Sequence, residues 1–295
     1  MRNLKYQILR VVILAALLIL TAVAPVVATT FFNNDSPNNS IATGSRPSSG
    51  GKIEIESADD FVLVSPMNIT SATFTGLLPA GGNVGQVVVE IYRVFPKDSD
   101  TGRTPNVVTR ANSPSDVAFD TRDSLAGTLS FAIATLSPSF TTLNSVLNGI
   151  NPKPNQTTQG EGPVTGEEVR FDVTFTTPFS LPADHYFFIP QVEVTNGGDF
   201  LWLSASRPIV GPVLTPFPPG FTDLQSWIRN ENLAPDWSRI GTDIVGPPPT
   251  GGTAPAFNAA FSLSGEPSAV PEPATMLLLG SGLIGLWGAR KKFKK

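Results

Sequence analysis

His185 is the only imidazole in the chain, and there is no cysteine. A zinc site built on two histidines or on thiolates is therefore excluded, as are thiol catalysis and disulfides. His185 opens the stretch PADHYFFIP, which reads as the start of a strand. A catalytic histidine needs an orienting carboxylate and a nucleophile within reach. Asp184 is adjacent in sequence, so on a strand it points to the other face. No G-x-S-x-G elbow occurs. The spacing predicts an ordinary histidine at a sheet edge. Glu167 and Glu168 precede another strand-like run; glycoside hydrolysis needs two acids facing each other across a cleft, and neighbours on a strand face apart. Asp98-Ser99-Asp100-Thr101-Gly102 is similar to the start of a calcium loop, without the downstream glutamate that completes one. Asp98 and Asp100 are thus candidate calcium ligands, and no other cofactor is expected. Trp227 and Trp237 flank a polar stretch with Arg229, Asn230, Asp236 and Arg239; an exposed indole there would stack on a sugar ring. Gly280-Ser281-Gly282-Leu283-Ile284-Gly285 matches a dinucleotide-binding pattern, but proline precedes it where a strand is required.

These residues must be placed by strands. Alternation dominates from Lys52 onward. Ile53 and Ile55, then Val87, Val89 and Ile91, then Phe171, Val173 and Phe175 each mark one face, with polar or charged neighbours on the other. Similar runs lie at Phe61–Val64, Ala72–Thr75, Thr128–Ala134, Tyr186–Glu193, Phe200–Ser204 and Ala259–Leu263. With 28 prolines and 26 glycines spread between them, the pattern predicts about ten short strands in an all-β, antiparallel β-sandwich of jelly-roll type. One or two short helices are expected at Ser139–Leu147 and Asp223–Leu233. Pro96–Asp116 and Asn151–Gly166 read as long polar loops, and residues 29–51, rich in Asn, Ser and Thr, as a flexible lead-in. The sandwich domain is thereby expected to span 52–265.

Both ends are apolar. Arg2, Lys5 and Arg10 precede a hydrophobic run, Val11 to Val23, and Val26-Val27-Ala28 offers small residues where signal peptidase cuts. Residues 1–28 read as a signal peptide cleaved after Ala28. Of the 20 Lys and Arg residues, three lie in this segment and five at the far C-terminus; residues 29–270 keep 12 against 23 acids, a net of −11. So acidic a body argues against nucleic acid as a partner.

At the other end Pro271-Glu272-Pro273 is followed by sixteen apolar residues, Ala274–Ala289, and then by Arg290, Lys291, Lys292, Lys294 and Lys295. The run spans ~24 Å as a helix, short of the ~20 residues usual for a crossing, and the basic cluster would hold its end on the cytoplasmic side. A lasting anchor and a removable signal share these features. Residues 270–295 resemble the PEP-CTERM protein-sorting domain of bacteria in the order of triplet, glycine-interrupted apolar helix and basic tail. The resemblance implies a Gram-negative exopolysaccharide producer and two processing partners, signal peptidase and an exosortase. Pro271, Glu272 and Pro273 would be the recognition residues, and Arg290 to Lys295 the stop-transfer. The protein would be held transiently in the inner membrane by its transmembrane sorting helix, then cut and delivered to the cell surface or extracellular matrix. The body between the two ends is expected to be non-enzymatic, adhesive or exopolysaccharide-associated. A secreted glycan hydrolase and a purely structural matrix component are the alternatives.

Overall fold

In the computed structural model, residues 28–150, 157–207, 209, 217–268 and 282 are described. Among these, the strands in chain order are β1 (Thr29–Asn33), β2 (Pro37–Gly44), β3 (Ile55–Leu63), β4 (Met67–Leu78), β5 (Val84–Arg93), β6 (Asp120–Asp123), β7 (Ser130–Thr142), β8 (Ser145–Val146), β9 (Val164–Leu181), β10 (Asp184–Val194), β11 (Leu201–Ala205), β12 (Trp227–Asn230), β13 (Ser238–Arg239), β14 (Asn258–Ala259) and β15 (Phe261–Pro267). They form two sheets. One has six strands in the order β13-β12-β3-β10-β5-β6; the other has nine, with β4 at its centre. Along one edge β4 pairs with β9, which pairs in turn with β7. Its other edge is shared by β15, which continues to β1, and β11, which continues to β2.

The alternation fixes which face each strand buries. Phe61 and Leu63 of β3, Val87, Val89 and Ile91 of β5, and Tyr186, Phe188 and Val192 of β10 point from the smaller sheet toward Ile69, Phe74, Phe171, Val173, Trp202 and Phe261 of the larger. Aromatic rings fill this layer: Phe74 stacks on its cross-strand neighbour Phe171 at 4.8 Å within the larger sheet, and Phe188 stacks on Phe261 at 5.0 Å between the two sheets. Two sheets closed on one apolar layer make an all-β sandwich-like fold.

Three expectations are overturned. Ser139–Leu147 is not helical: its first half is the end of β7, and Ser145 and Val146 form β8 beside β2. Asp223–Leu233 contains β12, an antiparallel partner of β3. Capping residues and a short apolar spacing mimic a helix in both places, but each segment gains more by completing a sheet edge with backbone hydrogen bonds. The described helical element is instead a six-residue π-helical turn, Ile240–Val245. Finally, residues 29–51 are not a flexible lead-in. Phe32, Ile41 and Ala42 are core residues of β1 and β2, and Asn34 is fully buried, its side-chain amide donating to the Ala259 carbonyl. Polar composition hides the segment because much of it pairs through backbone. The signal segment 1–27 lies outside the described residues; Ala28 is exposed, directly before β1. No helix among the described residues is long and apolar enough to cross a membrane.

Candidate functional site

The smaller sheet is buried on both faces. Its outer face carries Ala58, Tyr92, Phe187, Ile189 and, on β12 opposite Ala58, Trp227, packed against Leu224 and Trp237. The cover comes from the long excursion between β5 and β6 and from the segments on either side of β12. Trp227 and Trp237 are each 1% exposed, so neither offers a face to a sugar, and stacking by these two indoles is ruled out. A second apolar layer outside a sheet draws in residues that alternation within one strand assigns to solvent.

Charges are buried in the same layer. Arg229 of β12 clamps Glu56 of β3 with two nitrogens, reaches the Tyr92 hydroxyl at 2.7 Å and lies 4.3 Å from the centre of the Trp237 ring. Glu90 on β5 also faces this group, and its carboxyl is pushed up to about 8 by burial first and by Glu56 second. Next to it, the fully buried Asp236 carboxylate accepts from Arg103 and from the Asn106 backbone amide. Although its burial opposes ionisation, these hydrogen bonds bring its carboxyl below the usual carboxylate range. The candidate calcium ligands do not converge. Asp98 is held by Arg93, while Asp100 accepts the Gly102 amide at 2.9 Å and closes a turn. Among the described residues no three His, Asp or Glu side chains group as metal ligands.

A cleft of about 390 Å³ opens where this cover meets the edge of the smaller sheet. Its wall includes Thr109, Asn112, Arg207, Asp223, Gln225 and Arg239, with Trp227 behind. Arg207 ties the wall together: it donates to the Asp223 carboxylate at 3.1 Å, to the Leu224 carbonyl and to Asn258. Burial raises the Asp223 carboxyl above its ordinary range. The Trp227 indole N–H is buried and has no hydrogen-bond partner among the described residues.

Behind the cleft, Leu224 donates its backbone amide to Asp60. Asp60 also lies 2.6 Å from Nε2 of His185, while its other carboxylate oxygen is buried without a partner. Asp59, next in β3, faces the opposite side and accepts from Ser226 and from the Ala259 amide. Burial raises both carboxyls well above the ordinary range, and it lowers His185 to about 4. His185 is therefore neutral at pH 7 and shares a proton-bearing contact with Asp60. Sequence reasoning missed Asp60 as the histidine's partner. The signal was present in ESADDFVLV, where two adjacent acids sit in the middle of a strand and at least one must enter the fold. Among the described residues no hydroxyl is hydrogen-bonded to the imidazole, whose described partner is the Asp60 carboxylate. Glu167 and Glu168 are far from it, at the start of β9 opposite Leu78 and Leu77.

Pro271, Glu272, Pro273 and the basic cluster Arg290 to Lys295 lie outside the described residues. Comparison with protein families finds the PEP-CTERM protein-sorting motif at residues 269–292. No curated protein and no solved structure matches the chain.

Proposed function

We propose that this chain, which carries a PEP-CTERM sorting motif and is thereby an exosortase substrate exported to the cell surface, works there as a non-enzymatic protein that holds polysaccharide in the cleft beside β12. The observation that carries this reading is the cleft's wall. Guanidinium, amide, hydroxyl and carboxylate groups of Arg207, Arg239, Asn112, Gln225, Thr109 and Asp223 surround about 390 Å³ of space, the mix that exchanges hydrogen bonds with sugar hydroxyls. The acids argue against turnover: Asp59 and Asp60 face opposite sides of β3, and Asp223 is tied to Arg207 and Asn258. The mature body would stay on the surface or in the matrix and adhere through this cleft.

A glycan array probed with residues 29–268, with released sugars measured in parallel, tests the reading. Retention of a polysaccharide without hydrolysis is expected, weakened roughly tenfold in Asn112→Ala, since a lost hydrogen bond in a desolvated site costs ~1–2 kcal/mol. One observation favours a second reading, a glycan hydrolase: the raised Asp223 carboxyl borders the cleft, as a general acid would. Sugar release abolished in Asp223→Asn would establish that reading instead. A body that retains no glycan leaves the structural role.

A further inference from the structure

The first and last strands of the body leave it at one place. Thr29, at the start of β1, is the antiparallel partner of Gly265 near the end of β15, and the Ser268 amide still donates to the Pro66 carbonyl. The β3–β4 turn and the β9–β10 turn lie at the same end, because Met67 of β4 pairs with both Leu181 and Pro267. Chain segments 28–34, 61–67, 179–183 and 217–222 meet around this pole and contain no charged side chain; the departing strand β15 adds the half-buried Glu266, opposite Asn68. That is notable in a body with a net charge of −11. Val64 and Phe221 stand out from it, 69% and 43% exposed. Its rim carries two ion pairs, Lys97 with Asp184 and Arg93 with Asp98, each neutral in sum.

The tether is short. From Ser268, the last described residue hydrogen-bonded to the body, six residues lead to Ala274, where the apolar run begins; fully extended they reach about 20 Å. A sandwich tied so closely must present to the membrane whichever end the tether leaves. The acid-rich flanks are repelled by an anionic leaflet, whereas the charge-poor pole, with Glu266 beside the tether, is repelled less.

We propose that, while the sorting segment is still in the membrane, the body stands on this pole, with Val64 and Phe221 against the outer surface of the bilayer. Pro271 then lies within about 10 Å of the folded edge, so the cut is made in the gap between body and bilayer and frees the pole. The proposal rests on the apolar run 274–289 being lodged in a membrane before cleavage.

Because the chain has no cysteine, single labels are simple to place. Full-length Val64→Cys, Phe221→Cys and Ala80→Cys variants would carry a fluorophore and be reconstituted in mixed phosphatidylethanolamine–phosphatidylglycerol vesicles containing a headgroup-level quencher lipid. Ala80 lies in the turn after β4, at the opposite pole. Quenching at Val64 and Phe221 is expected to exceed that at Ala80 by roughly threefold or more, as for side chains at a headgroup boundary. A ~20-residue Gly/Ser spacer inserted after Ser268 should reduce the difference, since a flexible tether frees the body's orientation. Equal quenching at the three positions, in chains that co-float with the vesicles, overturns the pole and leaves the membrane-held precursor standing. Failure to co-float overturns both. Quenching at the pole only when exosortase is co-reconstituted assigns the surface to the enzyme and overturns the bilayer contact.

Discussion

Replacing Arg229 with methionine keeps most of the side chain's packing over Trp237 and Tyr92 but leaves Glu56 buried without its cation. Breaking a buried pair from one side costs ~3–5 kcal/mol, and chemical denaturation of the body should show a loss of that order. Glu90 predicts the opposite sign. Its carboxyl is raised to about 8 from 4.5, so the folded state holds a proton that the unfolded chain releases. The stability this contributes is complete below pH 4.5 and disappears as pH rises through about 8. The unfolding midpoint should therefore fall between pH 6.5 and pH 8, where His185 no longer opposes it, and Glu90→Gln should flatten that slope and stabilise the body at pH 8 by roughly 1–3 kcal/mol. His185 works in the other direction: lowered to about 4, it contributes stability above pH 6.5 that is lost as pH falls toward 4. A midpoint that rises from pH 6.5 to pH 8 would contradict the assignment to Glu90. Of these groups the sequence made His185 and the acids visible as types. Their partners come from strands over a hundred residues apart, as with Asp60 and His185, and no local pattern reveals such pairs.

At the scale of elements, the strands were most legible where one face is buried, in VVVEIYRVF and RFDVTFT, because burial on one side enforces a period of two. They were least legible where a strand is exposed on both faces or buried on both. β7 shows the first case: only Thr142 of its thirteen residues is buried, and its end imitates a capped helix. The chain around β12 shows the second, since β12 joins the smaller sheet beside β3 while Leu224 and Trp237 on either side of it pack over that sheet's outer face. β15 tests how closely the larger sheet is built. Gly265 sits where the register between β15 and β4 shifts, and an added Cβ would lie 2.4 Å from the Asn68 carbonyl oxygen. Backbone cannot move aside as a flexible side chain can. Gly265→Ala should push the end of β15 off β4 and lower stability by ~1–3 kcal/mol, the usual cost of overpacking. Ser262→Ala, on the same strand with a half-buried hydroxyl, should cost less than half as much in the same thermal melt. Equal losses would show that the close approach at Gly265 is relieved elsewhere.

For the whole molecule the question is where the folded body begins. Composition places the boundary near residue 52, because 29–51 is polar and poor in alternation. The packing places it at Thr29. β1 caps the edge of β15, β2 joins β11 to β8, and Asn34 and Ser45 are fully buried with hydrogen bonds to Ala259 and Pro190. Polar residues that satisfy a sheet's backbone look like a linker in a sequence and behave as core in a fold. A chain trimmed to 52–268 would lose Phe32, Ile41 and Ala42 from the apolar layers and leave the Asp35 partners Thr73 and Thr75 without their acceptor. Each large apolar side chain removed costs ~2–5 kcal/mol, against a total stability of ~5–15 kcal/mol. Residues 29–268 should thus unfold cooperatively in urea without either apolar end. Residues 52–268 should show no cooperative transition and bind a hydrophobic dye. Equal cooperativity in the two would mean that β1 and β2 are accessories to a sandwich complete without them.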